Sequence, residues 1–447
     1  MKHVVRKKDV LWGYLSQFLS IASSLLLLPF ILRYLGQEEI GLWYVFVALA
    51  GLVQLLEFGL LPTVSRFISY VYSGAKDITY NKIPECKDEE INQELLNALI
   101  IAAREIYFKI TTLAFVGIVI FGNIYLYSLH TTLDFLYVIS CWTLYGISIC
   151  VQLYFGYYNS ILKGRGDQTV LNKVIVLTKS ILLAVSIPML VSGQGLISLA
   201  IGSVIAVIID RWIITKCVYN NDHYIIKNYI PLQAAKELKT IVWQSAKDMG
   251  IVQLGNFLCV RGSILIVSSF IGLKAAAAYG LTVQVTMVIV IVASMLFGLN
   301  LPRMTAEQAL QKYSSVKRLF KKSLLTANAI YMASAFSLVF LGDFLLKHIT
   351  QQTHFLPTEM LVLYLICSLL EMNYSLCTSY LTTKNQIPFV KSMIITGMSI
   401  ILLSFVVTYY LKAGLLGVIL SQLFVQSLYN NWKWPLTVYQ DLRNVKS

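Results

Sequence analysis

Residues 170–218 read VLNKVIVLTKSILLAVSIPMLVSGQGLISLAIGSVIAVIIDRWIITKCV. Two apolar runs, 170–191 and 194–218, are joined by a very short turn. At a helical rise of about 1.5 Å per residue, each run can cross a hydrocarbon layer about 30 Å thick. The stretch therefore reads as a tight transmembrane hairpin. The same pattern recurs outward in both directions, with further spans near 10–32, 40–70, 105–128, 133–160, 241–271, 274–300, 323–346, 357–383, 387–411 and 414–436. The expected fold class is an all-α integral membrane protein of about 12 helices.

Composition agrees. Of 447 residues, 57% are hydrophobic and 13% charged, with a mean hydropathy of +0.69. Soluble globular chains carry about 25% charged residues, enough to coat a wet surface. Here lipid must be the solvent for much of the chain. The basic start MKHVVRKKDV precedes an apolar stretch too long for a signal-peptide core, so it reads as a retained first helix. Seven scattered cysteines form no CxxC pair, and no histidine stands at metal-ligand spacing, so no disulfide framework, metal site or cofactor is expected.

Basic residues orient the spans, because cytoplasmic loops are enriched in Lys and Arg. With the N-terminus inside, 30 of the 36 Lys and Arg residues fall on the cytoplasmic side. Four fall outside (Arg33, Lys274, Lys347, Lys412), and Lys179 and Arg261 lie within spans. Both termini are therefore expected in the cytoplasm. The net charge of +14 is then explained by a membrane-facing cytoplasmic surface, without a nucleic-acid partner.

The chain also matches itself. Phe58-Gly59-Leu60 matches Phe297-Gly298-Leu299 at an offset of 239. Gln168 and Lys173 match Gln386 and Lys391 at 218, Gly195-Leu196 matches Gly414-Leu415 at 219, and Trp212 matches Trp432 at 220. The acidic 2–3 loop around Asp88-Glu89-Glu90 accounts for the drop. Six helices per half give both halves one orientation, related by an axis along the membrane normal. The expected domains are a six-helix lobe over 1–218, a cytoplasmic linker over 219–240 and a second six-helix lobe over 241–447. A central cavity and alternating access would follow.

Ionisable groups inside the bilayer are costly and usually face a cavity or a partner. Arg261 lies 11 residues before Gly272, about 16 Å from the outer end of its helix. Its guanidinium suits an anionic, phosphate-bearing substrate, unless it serves a structural ion pair. Lys179 is a second candidate for the anion, although its stem could snorkel to the cytoplasmic side. Arg66 and Arg303 hold equivalent repeat positions and read either as positive-inside anchors or as a basic ring capturing a lipid-borne phosphate. Glu57 reads as a titrating group or as the partner of a basic residue, and Glu371 as part of a wet polar face. Asp210-Arg211 reads as a structural pair. Pro29 and Pro62 lie inside spans and could permit bends.

The stretches LLLLPFILRYLGQEEIGLWYVF (25–46), LVQLLEFGLLPTVSRFIS (52–69) and YYNSILKGRGDQ (157–168) resemble the polysaccharide, or O-antigen type, flippases of the multidrug/oligosaccharidyl-lipid/polysaccharide exporter superfamily. That resemblance implies a non-enzymatic transporter of the bacterial inner membrane. Its cargo would be an undecaprenyl-diphosphate-linked oligosaccharide, flipped for surface polysaccharide synthesis. For the ion coupling that the resemblance implies, Glu57 and Glu371 are the candidates. Membrane lipids, a polysaccharide polymerase and chain-length machinery would be its partners. A multidrug or cation antiporter of the same fold is the rival reading. A membrane-embedded polymerase would need a large extracytoplasmic loop, and the lipid II flippase is normally longer by two helices.

Overall fold

The computed structural model describes residues 7–57, 59–78, 91–129, 131–221, 237–244, 246–247, 250, 254, 257–258, 262–309, 313–349, 353–382 and 388–444. Regular structure among them is helical, as the apolar runs require. With no water to satisfy backbone N–H and C=O groups, a lipid-exposed chain must close its hydrogen bonds within helices. Contacts divide the chain into two compact units, Met1–Glu39 with Leu49–Gln253, and Ile40–Ala48 with Leu254–Ser447.

The helices drawn on by the first unit are α1 (Lys7–Tyr34), α2 (Gln37–Leu55), α3 (Leu60–Tyr72), α4 (Gln93–Gly117), α5 (Asn123–Ser128), α6 (Phe135–Tyr154), α7 (Gly156–Arg165), α8 (Gln168–Val191) and α9 (Ile197–Asn221). The middle of α2 belongs to the second unit. The second unit further holds α10 (Gly262–Phe270), α11 (Leu273–Ala309), α12 (Tyr313–Ile349), α13 (Thr358–Thr382), α14 (Val390–Tyr409), α15 (Gly414–Leu428) and α16 (Asn430–Asn444).

Ten helical stretches among the described residues are long and apolar enough to cross a membrane, and the chain is a multi-pass membrane protein. Of the two other expected spans, 241–271 is described in part, its last part forming α10 (Gly262–Phe270). The last, 414–436, divides into α15 and α16 at Tyr429, whose backbone leaves the helical region at φ −143°, ψ −62°. The expected linker falls mostly outside the described residues, at 222–236.

The second expected span is also two helices. α2 stops at Leu55, and α3 begins after Gly59, which adopts φ +70°, a left-handed conformation that favours glycine. Pro62 is not the cause of a kink. It stands in the first turn of α3, where a missing N–H costs nothing. The matching Phe297-Gly298-Leu299 lies inside the unbroken α11.

A five-residue π-helical turn, Ile118–Gly122, joins α4 to α5. The buried Trp142 of α6 donates from Nε1 to the Ile118 carbonyl at 3.2 Å. An indole inserted beside the helix satisfies a carbonyl that the widened turn turns outward.

At the start of α2 two carboxylates tie the connections of the first unit together. Glu39 accepts from Gly36 N (3.0 Å), Tyr137 Oη (2.9 Å) and Leu196 N (3.2 Å). Glu38 accepts from Thr132 N and Oγ1 (both 2.9 Å) and from Thr131 Oγ1 (3.0 Å). Acidic side chains are favoured there by the helix dipole. They fasten the turns between α1 and α2, α5 and α6, and α8 and α9.

Candidate functional site

The break between α2 and α3 places Glu57 against the side of α4. Its carboxylate accepts from the buried Tyr107 hydroxyl at 2.9 Å. Ser160 of α7 lies beside Tyr107, and its hydroxyl reaches the Leu61 carbonyl at 3.3 Å. Arg211 of α9, only 6% exposed, stands within electrostatic range of Glu57. Its Nε lies 3.1 Å from Asp210 Oδ2, and its Nη1 donates to the Phe155 carbonyl at 3.4 Å.

Asp210 in turn accepts from Thr178 Oγ1 of α8 at 3.1 Å and faces the ammonium of Lys179. Lys179 follows Gln168 by 11 residues in the 24-residue α8, about 16 Å along it and so near mid-depth. The first unit therefore holds a connected polar cluster: Glu57, Tyr107, Arg211, Asp210, Thr178 and Lys179. Two cations share it with two carboxylates. Of these, Arg211 and Lys179 both lean on Asp210.

The repeat offsets give the cluster a counterpart. Asp210 corresponds to Asn430 at the Trp212–Trp432 offset, and Thr178 corresponds to Thr396 at the Gln168–Gln386 offset. In the second unit Asn430 Nδ2 donates to Thr396 Oγ1 at 3.0 Å. A hydrogen bond joins the corresponding helices in both units, with the threonine donating to a carboxylate in the first and accepting from an amide in the second. Lys179 corresponds to Gly397, Arg211 to Asn431 and Glu57 to Leu296, so none of these charges recurs.

The second unit has its own buried acid. Glu371 of α13 accepts from Gln422 Nε2 of α15 at 3.2 Å. Among the described residues no cation is paired with it. Nearby, Asn328 and Asn373 exchange two amide hydrogen bonds of 2.8 and 2.9 Å between α12 and α13.

Glu57 and Lys179 thus join one cluster in the first unit, whereas Glu371 belongs to the second unit. Arg66 is exposed, with its guanidinium 5.4 Å from the centre of the Phe67 ring. Arg303 is exposed and pairs with Glu307 at 3.0 Å. Arg261 lies outside the described residues. Arg211 enters the cluster beyond its adjacent aspartate. Its one sequence signal was a charge at residue 211 inside an apolar run. Tyr107 and Thr178 gave none, being uncharged among many similar residues.

The backbone path matches solved membrane transporters. An inward-facing multidrug resistance MATE family transporter of the MOP superfamily superposes with a TM-score of 0.73 at 12% identity, covering 99% of this chain and 100% of that one. The chain has the MATE transporter fold. That fold also embraces the lipid II flippase MurJ in an inward closed conformation (TM-score 0.65, 14% identity, 98% of this chain and 89% of that one). It further includes a variant of the Vibrio cholerae MATE transporter VcmN (0.60, 14%, 98% of each chain). No known family model matches the sequence, and no curated protein matches it. The expected all-helical architecture is therefore present, carried by a MATE-type fold at low sequence identity.

Proposed function

We propose that this protein is an alternating-access transporter that flips an undecaprenyl-diphosphate-linked oligosaccharide across the bacterial inner membrane for surface polysaccharide synthesis. The observation that carries this reading is the pair of deeply placed cations, Lys179 and Arg211, held by the carboxylates Asp210 and Glu57. Guanidinium and ammonium groups fixed inside the membrane suit a diphosphate. Guanidinium and ammonium groups form charge-assisted bonds to phosphate oxygens that strengthen where water is scarce. In this reading Arg261 adds a further guanidinium for the headgroup, and Arg66 and Arg303 collect the lipid from the cytoplasmic leaflet. Similarity in fold to a lipid II flippase supports a lipid-linked cargo.

The two acids then divide their roles. Glu57 faces Arg211 and balances the cluster. Glu371 is met by a neutral amide, so a proton or metal cation is the natural counter-charge, and it is the stronger candidate for the coupling ion. That same feature favours the second reading, a multidrug or cation antiporter, since an acid among amides also receives an organic cation.

Binding to the purified protein separates the two. Lys179→Gln is expected to weaken undecaprenyl diphosphate by roughly 10- to 100-fold, taking about 1.5–3 kcal/mol for a hydrogen bond to a charged group. Glu371→Gln is expected to spare that affinity and to abolish the response to an imposed ion gradient. Unchanged lipid affinity in Lys179→Gln, together with Glu371-dependent binding of a cationic dye, would overturn the flippase reading.

A further inference from the structure

Arg104 lies on α4, 11 residues after Gln93. The continuous helical stretch from Gln93 to Ser128 has 36 residues, about 54 Å against a hydrocarbon layer of about 30 Å. With the far end at the outer surface, the last 20 or so residues fill the hydrocarbon. Arg104 then falls about one turn outside it, at headgroup level. The Lys and Arg distribution places that level in the cytoplasmic leaflet.

The direction of the side chain follows from its neighbours. Ile101, Phe108 and Phe115 share its helical face at spacings of three, four and eleven, and are 38%, 59% and 51% exposed. In a membrane helix such a face meets lipid. Glu105, the adjacent acid, is already committed to Lys239 at 2.7 Å. Among the described residues Arg104 lies beside Tyr154, and no carboxylate pairs with it. Tyr154 is held edge-on by Phe108 with ring centres 6.2 Å apart. Beside it the Tyr158 and Tyr219 hydroxyls meet at 2.9 Å.

A guanidinium has five N–H donors in a fixed fork that matches two phosphate oxygens. Tyrosines at the interface supply a hydroxyl at the wet end and a ring at the apolar end. We infer that Arg104 and the Tyr154 edge of this aromatic platform form a binding site for the phosphate of a lipid headgroup in the cytoplasmic leaflet. The site does not depend on the cargo proposed above. Bulk anionic phospholipid and a polyprenyl phosphate offer the same chemistry.

Native mass spectrometry of the purified full chain, incubated separately with phosphatidylglycerol, undecaprenyl phosphate or diacylglycerol, tests it. Wild type is expected to retain one phosphate lipid more than Arg104→Gln, an affinity loss of about tenfold. Arg104→Lys should be intermediate, and diacylglycerol should not distinguish the variants. Equal retention of the two phosphate lipids assigns the site to bulk headgroups, and preference for undecaprenyl phosphate assigns it to the polyprenyl carrier. Both outcomes sustain a phosphate site. Arg104 is exposed, so Arg104→Gln should melt with wild type. Equal retention of every lipid by wild type and a normally folded Arg104→Gln would overturn the inference.

Discussion

Asp210 and Asn430 perform one structural task with different charge. Each hydrogen-bonds a threonine on a neighbouring helix, Thr178 at 3.1 Å and Thr396 at 3.0 Å. Only Asp210 also neutralises cations. Asp210→Asn should therefore keep a hydrogen bond to Thr178 and remove the ion-pair partner of Arg211, which is 6% exposed, leaving Glu57 as its counter-charge. Breaking a buried pair this way costs about 3–5 kcal/mol, visible as a lowered melting temperature in detergent. The double change Asp210→Asn with Arg211→Asn copies Asn430-Asn431 of the second unit. It is expected to recover much of the lost stability and to remain inactive in transport. A double variant as unstable as the single one would show that the repeat correspondence is wrong. Lys179, Glu57 and Glu371 were legible in the sequence as charges interrupting apolar runs. Arg211 was misleading, because its nearest opposite charge is its own neighbour and the pair looks self-contained. Only the fold brings Glu57 and Tyr107 up to it.

At the scale of elements, apolar length located the helices but not their breaks. The stretches around Gly59 and Gly298 are alike in sequence, yet one ends a helix and the other lies within one. Local propensity does not separate them. Among the differences is residue 57 against residue 296, a glutamate bonded to Tyr107 where the second unit has leucine. Opposite responses to alanine follow. Gly59→Ala forces a side chain into the left-handed region at φ +70°, a loss of about 1–2 kcal/mol. Gly298→Ala meets no neighbouring atom within 4 Å and gains up to about 1 kcal/mol of helix propensity. Thermal unfolding of the two variants against wild type measures both signs. The π-helical turn at Ile118–Gly122 was likewise invisible, since the indole that bonds its first carbonyl is 24 residues away in sequence.

For the whole molecule, a few coarse properties were sufficient to indicate the architecture. Runs of apolar residues gave the spans, and matching pairs such as Trp212 and Trp432 suggested a duplicated plan. At 12–14% identity the chain still follows MATE-type structures along 98–99% of its length. Any apolar side chain of suitable size satisfies lipid and most helix contacts, so the fold persists while individual residues drift. Cargo is a different matter, because it depends on a few charges. The most direct test is therefore transport in proteoliposomes loaded with an undecaprenyl-diphosphate-linked saccharide labelled for one-leaflet detection. The account predicts that the purified protein moves the label between leaflets, and that Lys179→Gln slows this strongly without removing the protein from the membrane. Label that stays in its original leaflet, in vesicles where the same protein accumulates a cationic dye, would contradict it.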